Sequence, residues 1–259
     1  ISGGILQGLL RNPLADPYIL GVSGGAAVGA AGAFILGGAL MGSIGVPALA
    51  ALGAILAVLM VYRVARFGGQ TSPETLILSG AVVSTYLGAI LSLMMFLTGQ
   101  MDKIFFWLLG SLSNADWNQV LLLAPLTLIG LLLALWGSGH LDALLLGEDV
   151  AATLGVTVER ARFLLLMLAS LLTAASVAVA GVVGFIGLVV PHFARLLLGP
   201  RHRALIPACA LAGGGLVVLS DLVVRVFFAP TEIPLGVVTA LIGAPFFLYL
   251  LRRRRPAAL

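Results

Sequence analysis

Charge is scarce in this chain, and the scarcity decides its class. Asp, Glu, Lys and Arg make up 9% of the 259 residues against 61% hydrophobic, which leaves too few polar groups to coat a water-soluble domain. Lysine occurs once, at Lys103, and no Gly-x-x-x-x-Gly-Lys-Ser/Thr run is present; any ATP that powers this chain is bound by another one. The single cysteine, Cys209, lies in an apolar run, so an intramolecular disulfide is excluded. Three histidines, His140, His192 and His202, lack ligand spacing; no metal site is expected, and His192 reads as a hydrogen-bonded structural residue. No cleavable signal peptide, linker or low-complexity stretch is visible, so residues 1–259 read as one transmembrane domain. A nucleic-acid partner is not expected.

Apolar sequence fills the space. Charge is absent from 18–62, 75–101, 117–141, 163–194, 204–220 and 233–251, and a bilayer core takes about 20 apolar residues per helix. These runs are expected to hold eight complete spans, at 19–40, 46–62, 76–97, 121–136, 163–180, 186–198, 205–227 and 235–251. Residues 1–10 add about half a span, since ten residues give about 15 Å of helix against a core of about 30 Å. The chain begins with Ile rather than Met, so a preceding part is expected to complete that helix. The fold class is an all-α polytopic membrane protein.

Twelve of the fourteen basic residues fall in, or at the mouth of, every second gap: Arg11, Arg63, Arg66, Arg160, Arg162, Arg195, Arg201, Arg203 and the four from Arg252 to Arg255. Short loops rich in Lys and Arg stay on the cytoplasmic side, so these gaps and the C-terminus are expected to face the cytoplasm. Lys103, beside Asp102 in a loop, and Arg225 are left on the outer side.

Helices in lipid pack through small residues, and the 33 glycines supply them: Gly25 and Gly29, Gly38 and Gly42, and the face of Gly236, Ala240 and Gly243. Such faces serve tight packing, or alternatively a pathway or dimer seam. Prolines at 13, 17, 191 and 234 free backbone carbonyls, so those breaks are expected to be buried in protein or wet.

One run imitates an enzyme. Gly21-Val22-Ser23-Gly24-Gly25 matches the Gly-x-Ser-x-Gly nucleophile elbow and the serine motif of rhomboid proteases. An elbow needs a strand before it and a helix after, whereas Ser23 follows a proline-broken loop and opens a membrane helix. Neither His140 nor His192 offers a partner at matching depth. No catalytic residue is expected, and an intramembrane serine protease is only a remote alternative.

Two polar features exceed what packing explains. Residues 138–162 form a cytoplasmic segment much longer than a turn requires. Within it Leu146, Val150 and Leu154 recur at i, i+4, i+8, with Glu148, Asp149 and Glu159 elsewhere. That predicts short amphipathic helices, whose stripe either covers its own bundle or docks a cytoplasmic partner. The other feature is Asp221 and Arg225 at i, i+4, followed by Pro230-Thr231-Glu232. Asp221 either simply neutralises Arg225, or Arg225 is presented outward to an acidic partner.

Four blocks carry a resemblance that spans the chain in order. They are Gly8-Leu-Leu-Arg-Asn-Pro-Leu-Ala-Asp-Pro17 running into Leu20-Gly-Val-Ser-Gly-Gly-Ala26; Leu146-Gly-Glu148 to Leu154-Gly-Val156; Gly181-Val-Val-Gly-Phe-Ile-Gly-Leu-Val-Val-Pro-His192; and Glu232-Ile-Pro-Leu-Gly-Val-Val-Thr-Ala240 with Gly243-Ala-Pro245. The chain resembles the FecCD/BtuC family, permease subunits of ABC importers for iron–siderophores, haem and cobalamin. The resemblance implies a ten-helix permease, of which about eight and a half transmembrane helices and the cytoplasmic coupling helices are present here. It also implies two ATPase subunits below, a periplasmic or lipid-anchored substrate-binding protein above, and a second permease copy or close paralogue, all in a bacterial cytoplasmic (inner) membrane. ATP and magnesium would belong to the ATPase, with no cofactor on this chain.

Carried over by residue, Leu146, Gly147, Glu148, Val150, Ala151, Ala152, Leu154 and Gly155 match the coupling helices that sit in a groove of the ATPase. Arg225 matches an arginine that docks the binding protein, with Glu232 beside it in the same outer loop. Gln70, Thr71, Ser72 and Pro73 correspond to an inner loop that helps gate the pathway. The helix at 76–97 and the last helix would line that pathway with their dimer mates. A carrier or channel that needs no ATPase is the alternative, although charge-free spans argue against ion selectivity or proton coupling.

Overall fold

A computed structural model describes residues 1–37, 42–66, 71–113, 115–228 and 233–253. The described residues form helices and no strands: α1 (Ser2–Leu9), a 3-10 turn (Pro17–Leu20), α2 (Val22–Ile35), α3 (Gly42–Ala65), α4 (Pro73–Thr98), α5 (Met101–Leu108), α6 (Trp117–Trp136), α7 (Ser138–Leu145), α8 (Glu148–Thr153), α9 (Val158–Ala180), α10 (Ile186–Leu198), α11 (His202–Phe227) and α12 (Leu235–Arg253). Stretches of α3, α4, α6, α9 and α11 are long and apolar enough to cross a bilayer, while α2, α10 and Leu235–Leu248 are shorter apolar helices. The chain is a multi-pass membrane protein.

Two expectations change. The 19–40 span is not one continuous helix. Asp16 accepts a hydrogen bond from the Tyr18 N–H at 2.8 Å and opens the 3-10 turn, and Gly21, at φ +79°, interrupts the backbone before α2 begins. The 14 residues of α2 then reach only about 21 Å. The stretch between the 76–97 and 121–136 spans, read as a loop, contains α5, which seats Ile104 in the bundle and leaves Met101, Phe105 and Phe106 exposed. Lys103 therefore lies on a helix.

Non-helical backbone among membrane helices must find partners inside the protein, and it does. The Tyr18 hydroxyl donates to the Val183 carbonyl at 2.9 Å and accepts from the Val183 N–H at 3.1 Å, clipping the entry of α2 to the 181–185 connection. Beside Pro191, the Leu188 carbonyl accepts from Gln7 Nε2 at 3.2 Å, while Gln7 Oε1 accepts from Arg195 at 3.0 Å. Near Pro234, Leu235 and Gly236 donate to the carbonyls of Gly110 and Leu109, and Ser111 donates to Ala180. The ends of α5 and α9 and the start of α12 thus meet backbone to backbone.

Gly25, Gly29 and Gly53 make the α2–α3 crossing: a Cβ on Gly25 or Gly53 would strike the other's backbone, and one on Gly29 would strike Leu49. On α12, Gly236 faces Leu109 and Val182 and Gly243 faces Phe185, so these positions pack against their own chain. Gly38 lies outside the described residues. The central helix is α9, half buried along its apolar stretch and packed against α1, α2, α3 and α6.

Candidate functional site

The polar end of the bundle gathers around α7 and α8. Leu141 and Leu144 fix α7 in the core. Asp142 adds a link to the start of α11: its Oδ1 accepts from the His202 backbone N–H at 3.0 Å and lies 2.7 Å from Nδ1 of the fully buried His202 ring. An acidic group at a helix N-terminus also meets a favourable dipole. Gly147, at φ +114° and ψ +157°, turns the chain into α8, where Glu148 and Asp149 occupy the first turn. Gly155, at φ +83°, ends the segment. Neither glycine has a neighbour that a methyl would strike, so backbone conformation rather than space requires them.

The apolar stripe does not cover its own bundle. Leu146 is 65% exposed, Val150 42% and Leu154 63%, whereas Ala151 is fully buried and Ala152 exposed. Leucines on a lipid-facing flank are ordinary. A leucine stripe beside exposed Asp149 and Arg160 is an apolar patch in a polar surround, the pattern of an interaction surface. The five residues 158–162 at the end of the expected 138–162 segment form the first turn of α9.

Under this segment lies a buried arginine. The Arg162 side chain is 3% exposed. Its Nη2 donates to Glu148 at the start of α8. Its Nη1 donates to the carbonyl of Thr71, lies 3.3 Å from Thr71 Oγ1 and 3.4 Å from Glu159 Oε2. Glu159 Oε1 in turn accepts from Thr71 Oγ1 at 2.7 Å and from the Tyr62 hydroxyl at 3.2 Å. Arg11 approaches Glu148 at 3.2 Å from the exposed side. A charge this buried stands only when paired and hydrogen-bonded. In the sequence Arg11 and Arg162 stand out only as basic residues that set orientation, and nothing marks Tyr62. The one local signal was Glu159 and Arg162 at i, i+3.

The expected gate residues divide. Thr71 is buried in this cluster, Ser72 caps α4 in a reciprocal capping box with Thr75, and Pro73 is the first residue of α4. Gln70 lies outside the described residues. At the opposite end of α11, Arg225 Nε donates to Asp221 at 2.7 Å and Nη2 reaches the Leu112 carbonyl at 3.5 Å, with the side chain still 56% exposed. Glu232, Pro230 and Thr231 lie outside the described residues. Ser23 sits in the first turn of α2, in a helix and not on a strand-to-helix elbow. Among the described residues no group of His, Cys, Asp and Glu is arranged to hold a metal.

Comparison with known proteins gives these features a context. The model of the FecCD transport family matches residues 1–253. The cobalamin import system permease protein BtuC of Halobacterium salinarum is 47% identical over 260 residues, covering 100% of this chain and 69% of that protein. The hemin transport system permease protein HmuU of Yersinia pestis is 37% identical, covering 98% and 78%. A solved inward-facing structure of a metal-chelate type ABC transporter superposes with a TM-score of 0.88 at 34% identity, covering 97% of this chain and 81% of that one.

Proposed function

The chain belongs to the FecCD transport family, and from that premise we propose that it is the membrane-spanning permease subunit of a binding-protein-dependent ABC importer whose cargo is an iron–siderophore, haem or cobalamin. Access alternates between the two sides of the membrane. Two partner ATPase subunits drive the change, and they hold the ATP and magnesium. The exposed stripe of Leu146, Val150 and Leu154 is the observation that carries this reading: an apolar surface at the polar end of the bundle fits a groove on a cytoplasmic partner. Gly147, Glu148, Ala151, Ala152 and Gly155 shape and seat it. This end faces the cytoplasm, as does the C-terminus, in a bacterial cytoplasmic membrane, and the whole chain acts as one permease domain.

Arg225 and Glu232 serve the opposite face, where they meet the substrate-binding protein. The Asp221 contact aims the arginine without hiding it. A second permease copy, or a close paralogue, completes the path against α4. Along that helix Leu78, Val82, Tyr86, Leu93 and Phe96 are exposed, and the hydroxyls of Thr85 and Ser92 are turned back onto the carbonyls of Ala81 and Gly88 at 2.9 Å. Such a wall offers bulky cargo surface without a tight polar site. Thr71, Ser72 and Pro73, with Gln70, gate its inner end.

Partner association tests the two faces separately. In pull-downs from membranes, Leu154→Asp is expected to release the ATPase subunit while the binding protein is retained. Arg225→Glu is expected to weaken the binding protein about tenfold at low salt, with a smaller effect at high salt, and to leave the ATPase bound. If Leu154→Asp retained the ATPase at the unmodified level, the docking assignment would fail. A binding-protein affinity unmoved by Arg225→Glu would remove Arg225 from the outer site.

A further inference from the structure

Segments distant in sequence converge on one buried guanidinium. Arg162 holds Glu148 at the start of α8 with one terminal nitrogen and the Thr71 carbonyl with the other. We propose that Arg162 is the positioning residue through which movement of the α7–α8 segment reaches Thr71 and the end of α4. This rests on the reading of α8 as the ATPase-facing element.

The chemistry of the side chain favours such a relay. A guanidinium is planar and rigid, so a pull on one nitrogen rotates the plane and carries the other with it. At 3% exposure it cannot exchange a lost partner for bulk water, so its contacts shift together. The receiving side is stiff as well. Thr71 directly precedes Ser72, whose side chain and backbone close a capping box with Thr75, so a displaced Thr71 carries the first turn of α4. Glu159 braces the same point, accepting from Thr71 Oγ1 and from Tyr62 near the end of α3.

α7 is tied to the core and to α11 through Leu141, Leu144 and Asp142, so the route toward Thr71 starts at α8. Ala151 is the only residue of α8 that is buried, and a methyl group transmits little. Glu148 is also shared: Arg11 reaches the same Oε1 from the exposed side at 3.2 Å. The carboxylate therefore has a second partner when α8 moves away from Arg162, which gives the cluster two arrangements. A shift of equilibrium requires that the driver favour one arrangement over the other, and ATPase closure on α8 supplies that difference.

The test uses the complete transporter with its ATPase subunit. Glu74, exposed in the first turn of α4, is replaced by cysteine and given an environment-sensitive fluorophore; Cys209 is buried and stays unlabelled. ATP with magnesium is expected to shift the signal. In Arg162→Met and in Arg162→Lys, whose ammonium is a point charge that cannot bridge both partners, the amplitude is expected to fall at least about fivefold, the low end of ordinary coupling energies, with the ATPase still bound. Arg162→Lys keeps a positive charge between Glu148 and Glu159, so it keeps the test decisive where Arg162→Met does not fold. An undiminished shift in Arg162→Lys overturns the relay alone, and so does release of the ATPase by Arg162→Lys, which would make Arg162 a docking residue. No ATP-dependent shift in the labelled parent overturns both the relay and the ATPase reading.

Discussion

Replacing Gly147 with valine is expected to lower the amount of cargo imported per ATP hydrolysed by about 5- to 150-fold, the span that corresponds to 1–3 kcal/mol of lost coupling. Nothing stands where the new side chain would go, so the effect is not a clash. It comes from the backbone: φ +114° with ψ +157° is a region that only glycine enters readily, at a cost of about 1–3 kcal/mol for other residues. Valine forces this turn elsewhere, and the turn sets the angle between α7 and α8. Leu146 and Leu154 then no longer present one stripe, and Glu148 is moved from Arg162. Gly139→Ala is the control: Gly139 lies within α7 with open space around its Cα and no positive φ. Import and ATPase rates measured on the same proteoliposomes decide it. An unchanged ratio for Gly147→Val would mean that α7–α8 geometry does not set coupling.

Gly53→Leu is expected to act on the fold instead. The backbones of α2 and α3 touch at Gly25, Gly29 and Gly53, and the first carbon of any side chain at Gly53 would occupy the space of the Gly25 carbonyl. Overpacking a core commonly costs about 1–3 kcal/mol and sometimes more. Here the obstacle is backbone on both sides, so the upper end applies. At about 2–4 °C per kcal/mol for a chain of this size, thermal unfolding in detergent should move down by about 6–12 °C, or monodisperse protein should be lost. Gly32→Ala, on α2 with open space around the added Cβ, should unfold with the parent. Equal midpoints for the parent and Gly53→Leu would contradict the crossing.

Much of this architecture is legible in the sequence because lipid imposes one strong rule: uncharged runs of sufficient length become helices. The rule weakens where the protein supplies its own polar partners. The proline-broken loop before Ser23 is the sequence's hint that α2 starts late, while the break itself depends on Asp16 capping Tyr18 and on Val183 receiving the Tyr18 hydroxyl from 165 positions away. The helix α5 is hidden in the sequence because Asp102 and Lys103 read as a loop, although Ile104 to Leu109 form an apolar run.

At the site, periodicity identified which residues share the α8 stripe but not which way it faces. That direction is fixed by Ala151 and by the Glu148–Arg162 contact. The Asp221–Arg225 pair was readable because i, i+4 spacing is local, and its ion pair is present at 2.7 Å. The convergence of Tyr62, Thr71, Glu148, Glu159 and Arg162 was not readable, since it joins positions up to 97 apart.

The central claim is that this chain moves cargo only when a separate ATPase engages its α7–α8 face. The most direct measurement is uptake of radiolabelled cobalamin, haem or ferric siderophore, each presented with its binding protein, into proteoliposomes that contain the chain with or without its ATPase subunit. The account predicts uptake of one of these cargoes that requires both the ATPase and ATP. Equal uptake by the chain alone, with no ATP added, would contradict it.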